Sequence, residues 1–138
     1  MRRNSGPAKR AAPPTVEISH EFRFDAAHRF AGMPRGHRYR GLHGHSFRAE
    51  VAVRGTPRPP HGFVADFAKL QRACGALRKR LDHSLLNDVA GLENPSPKYV
   101  CVWIWKRLAP KFPGLARVTV YRDSLGQSCA YAGPQNGA

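Results

Sequence analysis

Two stretches, VEISHEFRFDAAH at residues 16–28 and HGHSFRAEVAV at residues 43–53, decide the architecture. In the first, Val16, Ile18, Phe22 and Phe24 hold the even positions while Glu17, Ser19, Glu21 and Arg23 fill the odd ones, the period of two that marks a half-buried strand. In the second, Phe47, Ala49, Val51 and Val53 alternate with Ser46, Arg48 and Glu50 in the same way. His20 falls on the apolar side of the first strand and reads as a core or edge histidine; His43 and His45 share the parity of Phe47. Between the strands, residues 29–42 are rich in Gly, Pro and Arg and have no period, which makes them a loop. It is long for a hairpin connection, and long ordered loops tend to carry function.

Further along, Asp66 is placed to cap a helix whose buried stripe is Phe67, Leu70, Cys74, Leu77 and Leu81. Ser96-Pro97 opens a second helix, because serine can cap free amides and proline at the first helical position lacks the N–H that would go unpaired. Its stripe is Val100, Cys101, Ile104, Trp105 and Leu108, ending before Pro110. Residues 115–122 and 127–132 read as a closing strand pair. The order is ββααββ, an α+β domain with an antiparallel sheet and both helices on one face. It is expected to fill residues 15–133, between a disordered basic tail at 1–14 and a short tail at 134–138.

A chain of 138 residues supports one domain with a real core. It has no run of about 20 apolar residues and no apolar leader at its start, so a soluble, cytoplasmic protein without membrane contact is expected. The cysteines, Cys74, Cys101 and Cys129, are far apart and form no CxxC pair, which points to reduced thiols. A net charge of +14 raises nucleic acid as a partner. The sequence disfavours it: part of the charge is in the tail, aromatics are not interleaved with the arginines, and no nucleic-acid-binding signature is present. Solvated surface, or attraction of an anionic substrate, accounts better for the charge.

His43-Gly44-His45 puts two imidazoles on one face of a strand, about 7 Å apart at their Cα atoms. That spacing alone is a weak signal. His28, at the end of the neighbouring strand, approaches the pair if the two strands form a hairpin, and three imidazoles then converge. Three neutral histidines with a free fourth position are typical of catalytic zinc, which acts there as a Lewis acid on a carbonyl or on vicinal hydroxyls.

FDAAH (24–28), GLHGHSF (41–47), GFVADF (62–67), LDHSLLND (81–88) and GLENPS (91–96) occur here in the order and approximate spacing of bacterial 6-carboxytetrahydropterin synthases. The similarity covers roughly residues 17–133, and the chain resembles the 6-pyruvoyl/6-carboxytetrahydropterin synthase family. The resemblance implies the tunnelling fold, whose ββααββ units join their sheets into a barrel, commonly a hexamer, with active sites between subunits. It implies dihydroneopterin triphosphate as substrate, zinc on His28, His43 and His45, and a proton-moving cysteine in the loop before HGH. Asp82 and His83 become an assisting acid–base pair, and a carboxylate near the C-terminus anchors the pterin ring by its guanidine-like edge. A plainer reading of Asp82-His83 is a helix-end pair favoured by the dipole.

The chain departs from that pattern near the expected chemistry. Four residues before His43, where the bacterial relatives carry cysteine, stands Tyr39, and the loop has no other cysteine and no glutamate. A phenol with a reference pKa of about 10 is a poorer base than a thiol near 8.5. His37 is an alternative base, and Cys129 a remoter one from another strand. Ser96-Pro97-Lys98 replaces a motif with a carboxylate at its third position. Near the C-terminus the anchoring pair aligns either with Arg122-Asp123 or with Asp123-Ser124. Asp123 is then a shortened ring anchor, or Arg122 repels a guanidine-like edge and favours an acidic ligand. The expectation is a zinc-dependent lyase or cyclase in which His83, Tyr39 or His37 moves protons and Asp123, Arg122, Ser96 and Lys98 meet the substrate. That substrate is pterin-like or another small carbonyl or amine compound, cleaved by a retro-aldol step or closed by amine–aldehyde condensation. The rivals are the family's ordinary reaction with a substitute base and a non-catalytic basic binding module.

Overall fold

Alternation carries the first two strands to their full length. In the computed structural model, which describes residues 12–135, β1 (Val16–His28) and β2 (His43–Gly55) pair antiparallel from Val16 opposite Gly55 to His28 opposite His43. Most of the basic tail expected over residues 1–14, and the last three residues of the short tail, lie outside the described residues. Helix α1 (Phe67–Leu81) follows β2, then the two-residue strand β3 (Ser84–Leu85), helix α2 (Pro97–Leu108), β4 (Leu115–Arg122) and β5 (Gln127–Tyr131). The strand order is β3-β1-β2-β4-β5. β3 lies parallel to β1, with Ala26 opposite Ser84, so the sheet is mixed and five-stranded where a four-stranded antiparallel one was expected. Two residues are too few to show a period.

One face of the sheet is apolar. Phe22, Phe24 and Ala26 of β1 and Phe47, Ala49, Val51 and Val53 of β2 are buried with Leu70, Cys74, Leu77 and Leu81 of α1 and Val100, Cys101, Trp103, Ile104 and Leu108 of α2. Each fully buried large apolar side chain contributes about 1.5–3 kcal/mol. The other face carries charge pairs such as Glu17 with Arg54 and Arg117, worth about 0–1 kcal/mol each where exposed. Burial, not ion pairing, holds the fold. No helix among the described residues is long and apolar enough to cross a membrane.

Asp66 caps α1 by accepting a hydrogen bond from the Ala68 amide at 2.8 Å. Three details differ from the sequence reading. Phe67, the first residue of the expected stripe and of α1, is 55% exposed. Ser96 begins α2 without a side-chain cap bond. Trp103 is the buried tryptophan, its Nε1 donating to the Ala90 carbonyl at 2.9 Å, while Trp105 is half-buried against Tyr131.

Candidate metal centre

His28 is the last residue of β1 and His43 and His45 begin β2, so the pairing that buries the phenylalanines also gathers the histidines on the same face. The ring centroids stand 4.5 Å apart for His28–His43 and 5.1 Å for each of the other two pairs. One ligand nitrogen from each ring lies within 4.8 Å of the others. His28 is fully buried, and its Nδ1 lies 3.0 Å from the Pro95 carbonyl; His43 Nδ1 lies 2.8 Å from the Gly41 carbonyl. A carbonyl only accepts, so in both rings Nδ1 carries the hydrogen and Nε2 carries the lone pair.

The Nε2 atoms of His28 and His45 are shut off from solvent and have no hydrogen-bond partner in the protein. An orphaned buried polar atom costs about 1–3 kcal/mol, and a shared cation removes that cost from both at once. Burial pushes the His45 imidazolium down to about 4, the His28, Arg122 and His43 charges adding to the effect. It lowers His28 as well, against the opposing bond to Pro95. Both rings are therefore neutral at pH 7, as metal ligation requires. The donor set fits a divalent cation that prefers nitrogen ligands.

Phe30 packs against His28 at 4.8 Å between centroids, and Tyr39 lies 6.3 Å from His43. These two rings form one wall of a cleft of about 530 Å³ that Ser96, Lys98, Arg122 and Cys129 also line. Tyr39 is 40% exposed. His37 stands behind it, its Nδ1 accepting from the Tyr39 amide at 3.1 Å and its ring 4.9 Å away. Phe30, against His28, and Tyr39, beside His43, thus link the triad to a cleft that also bears a hydroxyl and two cations.

A family model described as 6-pyruvoyl tetrahydropterin synthase matches residues 17–134. The chain belongs to the 6-pyruvoyl tetrahydropterin synthase family. It is 40% identical over 125 residues to 6-carboxy-5,6,7,8-tetrahydropterin synthase of Synechocystis sp., covering 86% of this chain and 94% of that protein. It is 35% identical over 99 residues to dihydroneopterin monophosphate aldolase of Pyrococcus furiosus, covering 72% and 80%. The structure of Caenorhabditis elegans 6-pyruvoyl tetrahydropterin synthase shares the fold with a TM-score of 0.78 at 22% identity, over 88% of this chain and 98% of that one. The tunnelling fold expected from the sequence is the fold of this family member.

The remaining site residues of this synthase-family chain sit elsewhere. Asp82 accepts from the Asp25 amide at 2.9 Å, from His83 Nδ1 at 3.0 Å and from Arg78 at 3.1 Å, and the Asp25 amide is the largest of the effects that hold its carboxyl below the usual range. His83 has the left-handed backbone angle φ 57°, its amide donates to the Asp25 carbonyl, and its side chain is 81% exposed. It lines an open depression with Asp25, Gly44 and Ser46, and with His45 of the triad. Asp123 binds Arg48 through both oxygens, at 2.9 and 3.0 Å, and belongs to the polar face of the sheet. The candidates therefore fall into two groups: the histidine triad with Tyr39, His37, Ser96, Lys98 and Arg122, and a second set of Asp82, His83 and Asp123.

Cys129, the remoter base of the sequence reading, lines the cleft from β5, where it and Tyr131 turn inward on alternate positions. One contributor escapes a motif reading. Pro95 orients His28 through its carbonyl, which no side-chain pattern announces.

Proposed function

We propose that this protein is a zinc-dependent lyase that breaks a carbon–carbon bond in the side chain of a dihydropterin. The observation that carries the reading is the pair of orphaned Nε2 atoms, on His28 and His45, beside a cleft large enough for a small heterocycle. His28, His43 and His45 would hold the zinc, which supplies a Lewis acid for the side-chain oxygens. In a retro-aldol cleavage, a proton leaves the hydroxyl on the carbon that becomes the aldehyde and the bond between the two carbinol carbons breaks. The electron pair passes into the ring imine, and a proton returns to the carbon left on the ring. Tyr39, at the cleft wall beside His43, is placed to take one of these protons, with His37 fixing its backbone.

Asp82 and His83 do not line the cleft that Tyr39 borders, so they are assigned to the metal centre of a neighbouring protomer. β3 and β5 end the sheet at its two edges, where strands of further copies can continue it into a barrel, in keeping with a hexamer. Family membership weighs against a non-catalytic basic module.

The test is incubation of zinc-loaded protein with dihydroneopterin and with its monophosphate, following the aldehyde fragment by chromatography. Zinc-dependent release of the aldehyde supports the reading; absence of aldehyde from both substrates overturns it. The broader coverage of the Synechocystis relative favours a second reading, the family's ordinary synthase reaction with a substitute base. Conversion of dihydroneopterin triphosphate to 6-carboxytetrahydropterin decides for that one.

A further inference from the structure

Helices α1 and α2 contain Lys and Arg but no Asp or Glu. On α1, Leu70, Cys74, Leu77 and Leu81 are buried, while Lys69, Arg72, Lys79 and Arg80 are exposed along the opposite side, over roughly 16 Å at 1.5 Å per residue. Arg107 of α2 and Lys111 just beyond it widen this stripe. The guanidinium carbons of Arg80 and Arg107 stand 5.0 and 3.8 Å from the Trp103 ring centroid, and Lys69 donates to the Lys111 carbonyl at 3.3 Å. None of these six cations has a carboxylate within salt-bridge distance among the described residues, although Arg48, Arg54, Arg78 and Arg117 all do. The carboxylates are committed elsewhere: Glu17, Glu21 and Asp123 to arginines of the polar sheet face, Asp82 to Arg78 and His83, and Asp66 to the cap of α1. Arg80 and Arg107 are therefore like charges at one indole without a protein counter-ion. Burial, and after it the Arg80 charge, hold the Arg107 guanidinium below its ordinary value.

Along the sequence these cations are dispersed, so composition alone reads them as solvated surface; folding gathers them on one side. In a chain of net charge +14, a stripe of Lys and Arg along a helix is the electrostatic footprint of a nucleic-acid binder. The groove on α1 is lined by Ala68, Gln71, Arg72, Gly75, Ala76 and Lys79. It offers no aromatic or large aliphatic anchor for a protein partner or a lipid surface, and no ring on which an unpaired base could stack. Its small side chains instead let a duplex backbone come close to the helix. A B-form major groove about 12 Å wide admits a helix about 10–12 Å across, whereas the A-form groove is too narrow. We infer that the outer side of α1, with Arg107 and Lys111, is a docking surface for the phosphate backbone of double-stranded DNA, bound without base readout. The surface stands apart from the lyase reading, because it shares no residue with the triad or with the cleft that Tyr39 borders.

The test separates this surface from net charge. Zinc-loaded full-length protein is titrated against a fluorescein-labelled DNA duplex of mixed sequence, with anisotropy as the readout, at a series of salt concentrations. Affinity should fall steeply with salt, with a log–log slope of about −3 to −4 for roughly four phosphates neutralised. The variant Arg72→Gln/Lys79→Gln/Arg80→Gln/Lys111→Gln should bind at least about tenfold more weakly and with a shallower slope, since each lost phosphate contact removes about 0.9 from it. The variant Arg2→Gln/Arg3→Gln/Lys9→Gln/Arg10→Gln loses as many charges from the N-terminal stretch and should stay within about threefold of the parent, the salt slope changing little. Circular dichroism shows whether each protein is folded; if the first variant is not, Arg72→Gln/Lys79→Gln takes its place with a smaller loss in the same direction. Equal weakening in both variants assigns the binding to net charge and overturns the surface, as do an unaltered first variant and the absence of binding. Tighter binding of an RNA duplex or of polyglutamate than of the DNA duplex also overturns it, because the face then belongs to RNA or to an acidic protein.

Discussion

His28 and His43 are direct cross-strand partners, and their rings meet at an angle of 64° with centroids 4.5 Å apart. The same register sets Phe24 against Phe47, stacked at 5.0 Å in the core. A slip of one residue would turn both the phenylalanines and the histidines to the wrong face. The candidate metal centre therefore takes its geometry from hydrophobic burial, because the strand pairing that forms the core also sets the three histidines together.

Loss of a ligand should be read in metal content and in metal-dependent stability. His43→Ala is expected to weaken zinc binding by at least about 100-fold, since even supporting residues cost about 10–100-fold. In the parent, zinc in excess of its dissociation constant should raise the melting temperature by several degrees, because a ligand bound only by the folded state stabilises it. His43→Ala should show no such rise. A parent whose melting temperature ignores zinc would contradict the assignment.

The Tyr39 hydroxyl is separable from its ring. Tyr39→Phe keeps the packing against His37 and His43 and removes only the O–H. Turnover should fall about 10²- to 10⁴-fold, the range for a positioned acid or base, with KM and zinc content little changed. Tyr39→Cys installs the loop cysteine that the family resemblance leads one to expect and should gain conversion of dihydroneopterin triphosphate. An unaltered kcat in Tyr39→Phe would remove Tyr39 from proton transfer and leave His37 or the Asp82–His83 pair in its place.

The buried thiols set an alkaline limit on stability. Burial pushes both Cys74 and Cys101 up to about 12, while an unfolded cysteine ionises near 8.5. Between those values the unfolded chain releases protons that the folded chain retains, so stability is fully present below about pH 8.5 and falls as pH rises toward 12. The urea midpoint should therefore drop between pH 8 and pH 10.5. A Cys74→Val/Cys101→Val protein should lose less over the same interval, because its unfolded state has two fewer acidic groups. Equal slopes would show that the thiols do not drive the loss.

Much of this was legible in the sequence because the signals were periodic and redundant. Phe22, Phe24, Phe47, Ala49 and Val51 give the face of the hairpin, and that face carries His28, His43 and His45 with it. Asp66 caps its helix as its position indicates. The parts that were not legible depend on contacts between distant segments. β3 exists because residues after α1 lie along the end of β1, and a pair of residues has no period. Whether Arg122 or Asp123 faces the cleft is decided by Arg48, seventy-five residues from Asp123 in sequence, which takes both carboxylate oxygens. Ser96 looks like a cap, yet its hydroxyl is left for the cleft.

The separation of Asp82 and His83 from the cleft that Tyr39 borders predicts complementation between chains. If Asp82 and His83 serve the metal of a neighbouring protomer, a His43→Ala chain keeps a usable dyad and a His83→Ala chain keeps a usable triad. Each variant alone should be nearly inactive, since every site in its oligomer lacks one half. In randomly mixed oligomers, made by co-expression, a site is complete when its triad comes from the His83→Ala chain and its dyad from the His43→Ala chain, so about a quarter of the parental activity should return. A mixture of His28→Ala with His43→Ala provides the control: both changes damage the same centre, no combination repairs it, and activity should stay at background. Were the dyad to act on the metal of its own chain, no mixed oligomer would contain an intact site, and the first mixture would be as inactive as the second.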